Sequence, residues 1–153
     1  MGFGEPIRYE QSADLPYATD RVFDLVADIE RYPEFLSEYR EVRILSRSGD
    51  TLQVDQVIGF SAVELTLSAV AFLKRPESIV VSSHHGLMGD LEVRWSFKPS
   101  KVGTYVGFSM ELVPPTPFAA GLVGHLLTKS AQRTLQAFTE RAQRVYGKGL
   151  IAP

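Results

Sequence analysis

The sequence predicts an α+β fold, a curved antiparallel sheet of about seven strands wrapped around a long C-terminal helix. Three observations carry that prediction. Six segments between residues 40 and 112 alternate apolar and polar residues with period two, and the loops between them are too short for crossover helices, so neighbours must run antiparallel. Each of these strands has one apolar face, so the sheet needs a single partner layer. Residues 117–146 then carry Leu127, Ala131, Leu135, Phe138, Ala142 and Val145 as a continuous apolar stripe, with Lys129, Gln132, Arg133, Gln136, Glu140 and Arg144 opposite. A chain of 153 residues fits one domain, 1–153.

The first strand is expected over residues 7–15, where Ile7, Tyr9, Ala13 and Leu15 share one side and Pro16 ends the run. Thr19 or Asp20 is placed to N-cap a helix reaching about Asp28, with Val22, Phe23, Val26 and Ile29 at helical spacing. Pro33 stops helical structure near Tyr32, and a short second turn is expected to carry Phe35 and Leu36. Val42 and Ile44 mark the second strand, Ser48-Gly49-Asp50 a turn, and Leu52, Val54 and Ile58 the third strand. The fourth alternates from Val63 to Ala71, and residues 74–77 turn the chain. The fifth covers 79–83, the sixth holds Leu91, Val93, Trp95 and Phe97, and the seventh holds Val106, Phe108, Met110 and Leu112. Pro114, Pro115, Thr116 and Pro117 end it and set up the long helix, which Gly147 can cap. Thirty residues of helix span about 45 Å, enough to cross a small sheet.

Composition removes several functions. There is no cysteine, so disulfide frameworks, thiolate zinc sites and cysteine nucleophiles are excluded. With 16 basic and 18 acidic residues, the chain does not fit a globally basic nucleic-acid binder. No apolar run is long enough to span a membrane, and residues 1–10 read as neither a signal nor a transit peptide. The charge is uneven, however. Lys129, Arg133, Arg141, Arg144 and Lys148 face only Glu140 within 129–148, while the remainder carries −6. That stretch reads either as a solvated helix face or as a patch for an anionic surface.

A twisted sheet curls, and one long helix laid in the hollow cannot fill it everywhere. The small residues Ala119, Ala120, Gly121 and Gly124 point to a void beside the first turns of that helix, or to a strand packed against its backbone. Trp95, Phe97, Phe108, Met110 and Phe138, with Phe35 and Phe118 nearby, can surround an apolar ligand or simply fill a core. Leu36, Phe60, Leu122 and Leu126 complete the apolar candidates, His125 can offer a polar group at the mouth, and Leu87 and Met88 form a greasy lip between the fifth and sixth strands.

The segment FDLVADIERYPEFL at 23–36 resembles the signature of the coenzyme Q-binding family of START-like proteins, within the polyketide cyclase/dehydrase superfamily; its bacterial members include the RatA ribosome-association toxin type. VIGF at 57–60, GLMGDLEVRWSF at 86–97 and AFTERAQRVYG at 137–147 agree in order and spacing, so the likeness covers roughly residues 7 to 147. It departs where Ser37-Glu38-Tyr39 replaces a common Pro-Trp-Cys, and where Gly86-Leu87-Met88 replaces Gly-Pro-Phe. The resemblance implies the helix-grip (START/Bet v-like) fold. It also implies a carrier or chaperone for a polyisoprenoid quinone, serving quinone biosynthesis and respiration, with no cofactor beyond the lipid ligand. A cytoplasmic location follows, with peripheral contact at the inner membrane. Ribosome binding through Lys129, Arg133, Arg141 and Arg144 is a second implication, and cyclase-type catalysis a third.

Catalytic and metal-binding motifs are not expected. Asp24 and Asp28, like Glu34 and Glu38, stand four apart but have no further ligands near in sequence. His84 and His85 point to opposite faces of a strand end and read as solvated. No nucleophile elbow, phosphate loop or dinucleotide fingerprint occurs; Gly2-Phe3-Gly4 has no strand before it. Cyclase chemistry needs at least two ionisable groups inside the cavity, and the inward positions are expected to be almost all apolar.

Overall fold

The computed structural model describes residues 5–60 and 62–147. Among these residues, strand β1 (Ile7–Leu15) leads to helix α1 (Thr19–Ala27) and a 3-10 helix (Ile29–Glu34). Strands β2 (Tyr39–Ser48), β3 (Thr51–Phe60), β4 (Val63–Lys74), β5 (Ser78–His85), β6 (Gly89–Pro99) and β7 (Thr104–Val113) follow, then helix α2 (Pro117–Tyr146). All pair antiparallel in the order β1-β7-β6-β5-β4-β3-β2, the meander that short loops require, with β1 added to its end. The register sets Trp95 opposite Phe108 and Ile79 opposite Trp95. Bulges where β2 meets β3, between Tyr39 and Glu41 and between Ile44 and Ser46, bend that edge of the sheet.

The ends of α1 differ from expectation. Ala18, not Thr19 or Asp20, is the N-cap, and it makes no side-chain cap. Thr19 is already helical, and its hydroxyl lies 3.1 Å from that of the fully buried Thr104. Pro33 sits inside the 3-10 helix rather than ahead of a second turn, so Phe35 is its C-cap and Leu36 lies beyond it. At α2 the Thr116 hydroxyl accepts from the Ala119 N–H at 3.1 Å, Pro117 opens the helix, and Gly147 ends it at φ 83°. The far end of α2 is tied to α1 and its approach: the Tyr146 hydroxyl donates to the Arg21 carbonyl at 3.0 Å, and that of Tyr17 to the Gly147 carbonyl at 2.6 Å.

Small residues at the start of α2 do not open a void. A Cβ on Gly124 would strike the Ile7 side chain, so this glycine lets β1 pack against the helix backbone. Gly121 faces open space on the exposed side. The apolar stripe is buried from Leu127 to Ala142, but Val145 is half exposed. Lys148 and residues 149–153, like Gly2-Phe3-Gly4, lie outside the described residues.

Candidate functional site

The hollow lies beneath the middle of α2 rather than its first turns. It measures about 90 Å³. The roof is Leu127, Ser130, Ala131, Thr134 and Phe138 at helical spacing. Inward-facing residues of five strands make the floor: Gln56, Ile58 and Phe60 of β3, Leu67 and Ala69 of β4, Val81 and Ser83 of β5, Leu91, Val93 and Trp95 of β6, and Phe108 and Met110 of β7. Ile29, Tyr32, Leu36, Glu38 and Tyr39 close one end. Phe138 anchors the aromatic wall, with ring centroids 5.0 Å from Trp95, 5.0 Å from Phe35 and 5.3 Å from Tyr32, all edge-on. Trp95 and Phe108 lie 4.8 Å apart.

Of the candidates named from sequence, Leu36, Phe60, Trp95, Phe108, Met110 and Phe138 line this space. The others do not. Phe35 lies behind Tyr32 and Phe138 and faces the outside, under the Arg141 guanidinium at 5.0 Å. Phe97 is buried against Phe23 at 5.6 Å, beneath α1. Met88 is not a lip: it is 1% exposed and belongs to the core, whereas Leu87 beside it is exposed. Phe118 is 71% exposed, Leu122 and His125 face out, and Leu126 is half-buried, because the inward phase of α2 runs through Val123, Gly124 and Leu127.

The interior is more polar than expected, which corrects the reading of an almost wholly apolar inward face. Glu38 is 7% exposed, and the Ser130 hydroxyl donates to its carboxyl. The Gly59 N–H donates to the Glu38 carbonyl at 2.8 Å, fixing this turn against β3. Gln56 is 6% exposed and lines the hollow, while the Ser100 hydroxyl is the one fully buried side-chain polar atom without a hydrogen-bond partner among the described residues. The Ser83 hydroxyl donates to the Ser68 carbonyl at 3.0 Å, and that of Thr134 to the Ser130 carbonyl at 3.0 Å. Burial pushes the Tyr39 phenol far up, and the charge of Glu38 adds to the shift. Tyr32 is likewise raised, first by burial and then by Tyr39 and Asp28; its hydroxyl donates to the Val26 carbonyl. Three ionisable groups, Tyr32, Glu38 and Tyr39, therefore line the hollow.

Leu36 and Glu38 also form the inner wall of an outer groove of about 330 Å³, bordered by Phe35, Ser37, Arg133, Gln136, Ala137 and Glu140. Only one thin wall separates groove from hollow. Arg141, expected on a free basic face, is instead engaged: it contacts Glu34 at 2.7 Å and holds that carboxyl below its ordinary range, with Arg31 assisting. Lys129, Arg133 and Arg144 are exposed and make no ion pair among the described residues.

The remaining charged candidates are also engaged. Asp24 holds Arg75 through two contacts of 2.8 and 2.9 Å, and Asp28 pairs with Arg31. Glu34 and Glu38 do not share a helix, since Glu38 lies past the 3-10 helix. His84 contacts Asp90 at 2.6 Å, while His85 Nδ1 accepts from the Leu87 and Met88 N–H groups and holds their turn. Among the described residues no cluster of three or more His, Cys, Asp or Glu side chains could hold a metal ion.

A family model described as "Polyketide cyclase / dehydrase and lipid transport" matches residues 15–139. The ribosome association toxin RatA of Pseudomonas aeruginosa is 27% identical over 139 residues, covering 90% of this chain and 96% of that protein. The mitochondrial coenzyme Q-binding protein COQ10 homolog B of Xenopus laevis is 24% identical, over 93% of this chain and 60% of its own length. In fold, the chain matches the Zhui aromatase/cyclase of a Streptomyces species with a TM-score of 0.83 at 16% identity, over 95% of this chain and all of that one.

Proposed function

The chain belongs to the polyketide cyclase/dehydrase and lipid transport family, and from that premise we propose that it binds a hydrophobic ligand, a polyisoprenoid quinone in the first instance, as carrier or chaperone. The observation that supports this is the hollow between sheet and α2, walled by Trp95, Phe108, Phe138 and aliphatic side chains. Removing apolar ligand surface from water contributes about 25 cal/mol per Å². At about 90 Å³ the hollow holds one small head group and no long tail. Ligand sites usually measure roughly 300–1,000 Å³. Loading therefore requires a wall to yield, and the Leu36–Glu38 segment is the wall with an open groove behind it. A tail leaving there reaches solvent without disturbing the strand ladder.

Delivery would occur at a bilayer surface. No helix among the described residues is long and apolar enough to cross a membrane. Leu87, Phe118 and Leu122 are exposed, and the β5–β6 loop lies against the segment leading into α2, where Gly89 meets Pro115. Organic extraction and mass spectrometry of the purified protein should find a quinone or related lipid. A short-chain quinone should quench Trp95, the only tryptophan in the chain. Extracts without lipid, together with unquenched emission, would refute the carrier reading.

A second reading rests on the exposed cations of α2 and on the naming of several relatives. Lys129, Arg133 and Arg144 would contact ribosomal RNA, with Arg141 withdrawn from the set by Glu34. Co-sedimentation with ribosomal subunits should then weaken steeply with salt and be abolished by Arg133→Glu combined with Arg144→Glu. Unchanged sedimentation of that variant would remove the reading.

A further inference from the structure

If the hollow takes an apolar ligand, as proposed above, its polar side chains select the head group. Gln56 occupies an inward position of β3, between Val54 and Ile58, where an aliphatic side chain would complete the floor. Its amide offers donors and acceptors to the hollow. Glu38 lines the same space, and its backbone is bonded to Gly59, three residues from Gln56. Its carboxyl accepts from Ser130 and retains further acceptor capacity.

This pair discriminates among head groups. A hydroxyl is the smallest group that both donates and accepts, so it can satisfy the two ends of an amide together, or donate to Glu38 while accepting from Gln56. A ketone only accepts, leaving the Gln56 oxygen and the Glu38 carboxyl without a new donor. A carboxylate or phosphate only accepts, and it also brings negative charge against a buried acidic side chain. The small volume adds to the bias against bulky heads. We propose that Gln56 and Glu38 make this a site for neutral hydroxyl-bearing lipids, such as alkylphenols, hydroquinones and alcohols, and against fatty acids and phospholipid anions. Applied to a quinone carrier, the reduced form is the preferred cargo.

A matched series tests this: butylbenzene, 4-butylphenol and 4-butylbenzoate titrated at about pH 8 into the intact protein, followed by calorimetry and by the single indole N–H resonance of Trp95. The phenol should bind about tenfold tighter than butylbenzene and at least a hundredfold tighter than the benzoate. Gln56→Leu should weaken phenol binding about tenfold while strengthening that of butylbenzene. Glu38→Gln should recover at least tenfold of the lost benzoate affinity. Both variants are first shown to fold by circular dichroism, with Gln56→Met as the alternative should Leu fail. Equal affinity for phenol and butylbenzene, or a benzoate that binds best, overturns the proposal and leaves the apolar cavity standing. A Gln56→Leu protein that keeps its phenol affinity also overturns it. If none of the three binds, the cavity reading falls and the proposal falls with it.

Discussion

Truncating Phe138 to alanine tests whether the wall of the hollow is packed as tightly as a core. The ring is 2% exposed and meets three other rings edge-on, at 5.0, 5.0 and 5.3 Å. Truncation of a buried Phe to Ala costs about 3–5 kcal/mol, increasing with the volume left unfilled. Two features place Phe138→Ala in the upper half of that range, near 4 kcal/mol. Each aromatic pair is worth about 0.5–1.5 kcal/mol beyond burial. The neighbouring space is already empty, so little can relax inward to replace the ring. For a chain of this size each kcal/mol lowers the Tm by about 3 °C, giving a fall of about 12 °C. Urea unfolding followed through Trp95, which packs against the missing ring, measures the loss directly. The enlarged hollow should also take up benzene or toluene, and at a hundredfold excess over Kd the ligand should restore about 2.7 kcal/mol. A loss below about 1.5 kcal/mol, or no recovery with ligand, would refute the picture of a rigid aromatic wall around a small void.

Two further outcomes follow from the electrostatics. Burial holds the phenols of Tyr32 and Tyr39 above their ordinary value, so each contributes stability that is complete below about pH 10 and lost as pH rises from there towards the folded-state values. The slope is about 1.4 kcal/mol per pH unit for each tyrosine. Tyr39→Phe should therefore flatten the alkaline decline seen by urea unfolding, and an undiminished slope would show that Tyr39 ionises freely. Glu34 is shifted the other way, chiefly by its hydrogen bond from Arg141, so its contribution is present above the ordinary carboxylate range and lost as pH falls. In Arg141→Ala, the Glu34 carboxyl resonance should titrate closer to the ordinary range by NMR; an unchanged midpoint would mean that Arg31 suffices.

The strands are legible because a half-buried sheet imposes period two, and the short loops between them leave only antiparallel pairing. Gln56 is legible in the same way, since it shares the parity of Leu52, Val54 and Ile58 in β3; following only the apolar members of that face passes over it. Glu38 carries no such signal. It sits in the turn after a 3-10 helix, where no period fixes side-chain direction, and its burial comes with a distant partner, Ser130. At the start of α2, hydropathy and phase disagree. Counting back from Leu127 by threes and fours gives Gly124, Val123 and Ala119, which are buried, whereas the larger Leu122 and Leu126 draw attention to the wrong side. Small residues there reflect β1 pressed against the helix, a long-range contact whose local composition is the same as that of a void.

Whether Gln56 serves a ligand or the fold can be decided from stability alone. Burying a polar side chain costs free energy to the extent that hydrogen bonds do not replace those it made to water, up to about 1–3 kcal/mol, and solvent entering the hollow relieves part of that. If the amide is there for a ligand, the free protein bears the cost, and Gln56→Leu, of similar size and on a β-strand floor, should gain about 1 kcal/mol in urea unfolding. Stability and head-group recognition would then pull in opposite directions at one residue, as expected where a binding site is built into a core. If the amide instead holds the β3 floor together, the same substitution should lose stability. A loss of about 1 kcal/mol or more would move Gln56 from the site to the scaffold, and Glu38 alone would then have to account for any preference among head groups.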